Sequence, residues 1–204
     1  MMRSVIIAAA FLGAAVLAYL FIFRTAPITN YPSSGTDIIA FGDSLVFGTG
    51  ATKGNDFVSL LSQRIGQPIV NVGHPGDTTA DGLARLHDID RYKPKVVLLL
   101  LGGNDYLRRV KSEETFANLG KIIDDLHKRG AIVLLLGIRG GVLRDNFDAE
   151  FKKLHTTYQT AYVSNVLDGL LGDQTLMSDN IHPNDLGYAK VADRVEPVLK
   201  QLLR

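Results

Sequence analysis

The 204-residue chain is 46% hydrophobic and 21% charged, the balance of a globular protein, and is long enough for one domain with a real core plus a short accessory segment. Its net charge of +1 supplies no basic field, so a nucleic-acid partner is not expected. Cysteine is absent, which excludes a disulfide framework, a thiol nucleophile, a cysteine-based zinc site and a lipidated cysteine, and agrees with an oxidising compartment.

The chain opens on an apolar run of 19 residues, Val5 to Phe23, flanked by Arg3 and Arg24. As a helix this run approaches the ~30 Å hydrocarbon thickness of a bilayer. A cleavable signal usually has a shorter apolar stretch, about 7–15 residues, followed by small residues. Here the run ends Phe21-Ile22-Phe23-Arg24-Thr25-Ala26, a poor cleavage site. Residues 1–24 therefore read as an uncleaved signal anchor, a transmembrane helix in the inner (cytoplasmic) membrane. The alternative is a cleaved signal and a secreted or periplasmic product. Arg3 and Arg24 nearly balance, and the α-amino charge tips the orientation towards a domain outside the cytoplasm. Residues 25–36 hold two prolines, two serines and a glycine and read as a linker, with the folded domain spanning 37–204.

Short apolar runs then alternate with helical patterns. Strands are expected at Asp37–Phe41, Gln67–Val72, Lys95–Leu101, Ala131–Gly137 and, weakly, Ala161–Ser164. The run at Lys95–Leu101 is continuously apolar after its lysine, as in a strand buried on both faces. Helices are expected at Phe57–Ile65, Thr79–Leu86, Ser112–Arg129 (capped at its serine and stopped by Gly130) and Phe147–Gln159. A last helix, Leu186–Leu203, should be kinked or split by Pro197. Such alternation predicts a three-layer α/β/α sandwich around a parallel sheet. Ligands bind such sheets beyond the carboxyl ends of the strands. That rule places four loops, Gly42–Gly48, Gly73–Thr79, Gly102–Leu107 and Ile138–Leu143, on one rim.

Each loop carries polar residues with a chemical reading and a structural one. In Phe41-Gly42-Asp43-Ser44-Leu45, Ser44 follows a strand and is either a nucleophile near backbone N–H groups or part of a helix cap. Position 46 is Val, so the G-x-S-x-G elbow is absent. Gly76 offers an unobstructed N–H, or simply builds a tight turn with Gly73 and Pro75. Asn104 is a neutral donor suited to an oxyanion, or a cap. In Asp179-Asn180-Ile181-His182-Pro183, Asp179 is spaced to orient His182 as a base, although Asp-x-x-His also arises by chance. Arg139 ends the fourth strand, where it binds an acidic group of the substrate or forms a structural salt bridge. His74 lies in a rim loop within reach of substrate, or is an ordinary surface histidine. His74, His87, His127 and His155 show no pairing at metal-ligand spacing, so no metal is expected.

Taken together and in this order, the chain resembles the SGNH (GDSL) hydrolase superfamily from about Asp37 to Leu203. The matching residues are Ser44 in GDSL, Gly76 before Asp-Thr, Asn104 in GGND and His182 in DNIHP. The flanks GDTTADGLARL and LLLGGNDYLR are similar to the bacterial branch of arylesterases, acyl-CoA thioesterases and lysophospholipases; the anchor departs from that branch's usual cleaved signal. The resemblance implies a five-stranded flavodoxin-like sheet and a cofactor-free triad: Ser44 as nucleophile, His182 as base, Asp179 as its orienter. It also implies an oxyanion hole of the Ser44 and Gly76 N–H groups and the Asn104 amide. The expected substrate is a small acyl ester, thioester or lipid hydrolysed through an acyl-enzyme. Alternatives are a carbohydrate O-deacetylase or acetyltransferase of the cell envelope, and a non-catalytic binding protein on the same fold; no P-loop supports a nucleotide binder.

Overall fold

The computed structural model of the protein describes residues 27–139 and 147–204. The apolar run at Val5–Phe23 lies outside the described residues, as does the rim segment 140–143. Among the described residues no helix is long and apolar enough to cross a membrane.

Five parallel strands form the sheet: β1 (Asp37–Gly42), β2 (Ile69–Gly73), β3 (Pro94–Leu100), β4 (Ile132–Leu136) and β5 (Ala161–Val163), ordered β2-β1-β3-β4-β5. The three central strands are buried along almost their whole length, as continuous runs of Val, Ile and Leu require, and β2 and β5 are partly exposed edges. Between them lie α1 (Ser44–Phe47), α2 (Phe57–Ile65), α3 (Thr79–Ala84), α4 (Gly103–Leu107), α5 (Ser112–Lys128), α6 (Phe147–Tyr158) and α7 (Asp185–Leu202). The path runs from β1 outward to β2 and then back past β1 to β3, β4 and β5. Right-handed crossovers along that path put α2 on one face and α3, α5 and α6 on the other. The observed packing of α2 with α7, α3 with α5 and α5 with α6 follows this division.

The register positions the chemistry. Gly42 pairs with Gly73 on one side and Leu100 on the other, so β1, β2 and β3 end level and release their loops on one rim. A Cβ on Gly42 would lie 2.2 Å from the Leu100 carbonyl oxygen, and one on Gly73 would lie 2.3 Å from the Phe47 nitrogen. Without side chains there, α1 rests directly on the end of the sheet. Arg85, buried behind this end, donates to the carbonyls of Gly42 (2.8 Å) and Val72 (3.1 Å), pairs with Asp77 and stacks 4.2 Å from the Phe41 ring centroid. A single guanidinium fork thus ties two strand ends to the following loop.

Several expectations are revised. The short helices α1 and α4 stand where rim loops were expected; both begin on the rim and are too short for periodicity to signal. Ser112 is the first residue of α5 and not its cap, which is Lys111 without a side-chain hydrogen bond. Pro197 does not split α7. Pro197 and Asp193 are both exposed, so the Asp193 carbonyl that loses its helical N–H partner lies on the solvent-facing side. The stretch expected to be a linker is fastened down from Thr29 onward. Thr29 N–H donates to the Gln159 carbonyl, Asn30 Nδ2 to those of His127 and Ala131, and Ser33 Oγ to that of Gly130. These acceptors precede β4 and β5, so this strap crosses the end of the sheet opposite the rim.

The close approach at Gly42 makes a prediction. Gly42→Ala should cost about 1–3 kcal/mol by overpacking a fixed backbone, read as a drop of several degrees in the thermal midpoint. An unchanged midpoint would show that α1 is not seated on the sheet as described.

Candidate active site

The loop after β1 places Ser44 at the first turn of α1. Asp43 caps this helix, its Oδ1 accepting the Leu45 N–H at 3.0 Å, and Gly48 closes it in the left-handed conformation (φ 92°). The cap reading of this motif falls to Asp43, and the Ser44 side chain takes no part in the capping bond. The Ser44 N–H, like other first-turn amides, has no internal partner among the described residues.

His182 reaches this serine from the far end of the chain, Nε2 lying 3.0 Å from Ser44 Oγ. Its Nδ1 lies 2.7 Å from Asp179 Oδ2. A carboxylate only accepts, so Nδ1 carries the proton and Nε2 accepts from the serine hydroxyl. Asp179 Oδ1 also accepts the Ile181 and His182 N–H groups, each at 2.8 Å, which fixes the loop that bears both residues. The hydrogen bond from His182, with the two backbone donors, holds the Asp179 carboxyl down at about 2, so it is ionised at neutral pH although half exposed.

The histidine loop is clamped on both sides. The Ser178 N–H donates to the His182 carbonyl at 2.8 Å, beside an antiparallel bridge between Met177 and Pro183. Asn184 caps α7 by accepting from Leu186 (3.0 Å) and Gly187 (3.1 Å). Asp185 accepts from the Thr52 N–H (2.7 Å), the Thr52 hydroxyl (2.6 Å) and Asn55 (3.1 Å). Gly50, at φ 95°, lets the loop after α1 pass against the histidine loop, for a Cβ there would lie 2.6 Å from the Pro183 carbonyl oxygen.

On the other side of Ser44 stand the candidate oxyanion donors. Gly76, at φ 88°, has no partner for its N–H among the described residues, and its carbonyl accepts from Arg108 at 2.7 Å. Asn104, in α4, donates through Nδ2 to the Asp77 carbonyl at 2.9 Å and lies 3.4 Å from Asp43 Oδ2. Asp43 is 2% exposed. Burial pushes its carboxyl up to about 7, with the Asp77 charge adding to the rise and the Leu45 N–H and His182 opposing it. Asp105, 1% exposed, accepts from the Thr79 N–H (2.8 Å) and hydroxyl (2.6 Å) and so ties α4 to α3.

A cleft of about 300 Å³ opens beside these groups. Ser44, Asn104 and His182 line it on the reactive side, and Leu45, Tyr106, Leu107, Ile138, Leu167 and Leu171 form apolar walls. Arg139 also lines it, exposed and without an ion pair among the described residues, so the salt-bridge reading of this arginine finds no partner. Gly76 and Asp179 are not among the residues that line it. His74 is exposed and outside the cleft, its backbone N–H bonded to the Gly42 carbonyl. No group of three or more metal-ligating side chains occurs among the described residues. Sequence reasoning missed Arg85 and saw Asp43 and Asp105 only as candidate helix caps. Arg85 sits in a helical pattern like any surface cation, and only its hydrophobic neighbours Leu83 and Leu86 hinted at burial.

Comparison with known proteins identifies the family. Residues 40–190 match the GDSL-like Lipase/Acylhydrolase family. The chain is 33% identical to Esterase TesA of Pseudomonas aeruginosa over 178 residues, covering 81% of this chain and 89% of that protein. It is 29% identical to Thioesterase 1/protease 1/lysophospholipase L1 of Escherichia coli K12, covering 86% and 89%. The crystal structure of TesA superposes with a TM-score of 0.75 at 32% identity, over 82% of this chain and 99% of that one. The esterase AlinE4, a SGNH hydrolase, superposes with a TM-score of 0.64 at 31% identity, over 84% and 100%. The chain belongs to the GDSL-like lipase/acylhydrolase family, and is a serine hydrolase that cleaves ester bonds.

Proposed function

We propose that Ser44 attacks the acyl carbon, His182 takes its proton through Nε2, and Asp179 orients and stabilises the resulting imidazolium. The observation that carries this reading is the continuous path Ser44 Oγ–His182–Asp179, at 3.0 and 2.7 Å. A serine hydroxyl is a weak nucleophile at neutral pH and needs an adjacent, oriented base. The tetrahedral oxyanion is held by the Ser44 and Gly76 N–H groups and the Asn104 amide. Two unpartnered backbone donors and a neutral side-chain donor on the rim that carries Ser44 support that assignment, since preorganised donors are worth about 10²–10³ in rate each. His182 then passes its proton to the leaving group, and water repeats the sequence to release the acid.

The substrate is an amphiphilic carboxylic ester or thioester, of the kind named by the relatives described as esterase, thioesterase and lysophospholipase. The apolar walls receive the acyl chain, and Arg139 faces any acidic group of the substrate. Residues 1–24 anchor the protein in the inner membrane with the domain outside the cytoplasm. The strap beginning at Thr29 supports a consequence of that anchorage: it enters the domain opposite the rim, so the cleft faces away from the anchoring bilayer.

Ser44→Ala in the full chain should abolish hydrolysis of short-chain aryl esters while leaving the thermal midpoint within a few degrees. Turnover at the wild-type rate would remove Ser44 from the mechanism. The Asp179 carboxyl supplies a pH test. Its folded value lies below the unfolded value of about 3.9, so its stabilising contribution is complete above that pH and fades as pH falls towards 2. The midpoint deficit of Asp179→Asn should therefore be largest near pH 6 and shrink at pH 2.5. A deficit that stays constant or grows on acidification would contradict the ionised pair with His182.

A further inference from the structure

Asp43 is a buried carboxyl that the mechanism above leaves without a task. Its Oδ1 caps α1, which accounts for one oxygen only. The other, Oδ2, faces the amide of Asn104 at 3.4 Å. We infer that Asp43 is a positioning residue for the oxyanion donor: with the Asp77 carbonyl it holds the Asn104 amide in the orientation that presents an N–H to the developing oxyanion. The inference rests on Asn104 having that role.

An asparagine amide can turn by half a rotation about its last torsion and exchange its NH₂ for its oxygen. A carbonyl oxygen can only accept, so the 2.9 Å contact with Asp77 requires the NH₂ end to face it. Each of the two Nδ2 hydrogens then has a distinct destination. One is committed to Asp77, whose loop is itself fixed by Arg85 through the Asp77 carboxylate and the carbonyls of Gly42 and Val72. The other points to the side shared by Asp43 Oδ2 and the cleft, at a longer distance that is given up at little cost when a full negative charge forms nearby. A flipped amide would set its oxygen against Asp77, and the hole would then face substrate with an acceptor. The arrangement of Asp43 is suited to this task in a second way. An obligate anion beside a forming oxyanion would oppose it. Burial, with the Asp77 charge beside it, outweighs the backbone donors and His182 and pushes this carboxyl up to about 7 instead.

A double-mutant cycle in kcat tests the inference, with the full chain and a soluble aryl ester. Asn104→Ala should lower kcat about 10²–10³-fold with little change in KM. Asp43→Asn, nearly isosteric, should lower kcat at least tenfold with KM and thermal midpoint little changed. In the Asn104→Ala background the same Asp43→Asn change should cost less than twofold, because its target is gone. Equal losses in both backgrounds would overturn the inference and leave Asn104 as a donor. No loss from Asn104→Ala would instead overturn the oxyanion assignment on which it rests. A second readout needs no change at Asp43. In the wild-type protein, the two Asn104 side-chain proton resonances are identified by their disappearance in Asn104→Ala. When Ser44 carries a phosphonate, the proton facing Asp43 should shift and the one facing Asp77 should not. Movement of the Asp77-facing proton would contradict the proposed geometry.

Discussion

The hydrogen bond between Ser44 Oγ and His182 Nε2, 3.0 Å long, joins residues 138 positions apart, and the rest of the structure serves to hold its two ends. Neither end is held by its own segment. Ser44 stands at a fixed height because Gly42 and Gly73 let α1 sit on the level ends of β1, β2 and β3. His182 stands where it does because Asn184 starts α7, Asp185 grips Thr52 and Gly50 admits the loop. A shift of about 1 Å in either anchor would lengthen the bond beyond useful proton transfer. The sheet's parallel order therefore brings Ser44, Asn104, the loop bearing Gly76 and the cleft to a single rim.

Two carboxyls near this bond show how environment divides labour. Asp179 is half exposed and receives three hydrogen bonds, from His182 and two backbone amides, and it is held at about 2. Asp43 is enclosed, and burial pushes it up to about 7 against its backbone donors. The first places a permanent negative charge against the His182 ring. The second offers hydrogen-bonding capacity without a permanent charge, beside the Asn104 amide. Two side chains of the same chemistry thus differ in ionisation because one faces water and several donors and the other is enclosed.

Much of this was legible in the sequence. The uninterrupted apolar runs at Lys95–Leu101 and Ala131–Gly137 announce strands covered on both faces, and all five strands and the longer helices lie within two or three residues of their expected bounds. The rim rule then placed the loops of Ser44 and Asn104 on one rim, and the observed strand order makes their strands neighbours. What stayed hidden depends on distance rather than on pattern. No periodicity reveals that Arg85 turns inward to bind two strand ends, or that Asp43 is enclosed, because each looks like an ordinary polar residue in its own segment. The strap at residues 29–36 has linker composition, yet its side chains and amides answer carbonyls left open before β4 and β5. His74 shows the converse: a rim position in sequence, but a side chain outside the cleft, since its loop is aligned by backbone bonding to Gly42.

The central claim is that the His182–Asp179 pair makes Ser44 the reacting atom. The most direct measurement is peptide-resolved mass spectrometry of the full chain after treatment with an alkyl fluorophosphonate. The account predicts one adduct per chain, on the peptide containing Ser44, forming at least a hundredfold more slowly in His182→Ala and absent from Ser44→Ala. An adduct on another residue, or labelling of Ser44 at the same rate without His182, would contradict it.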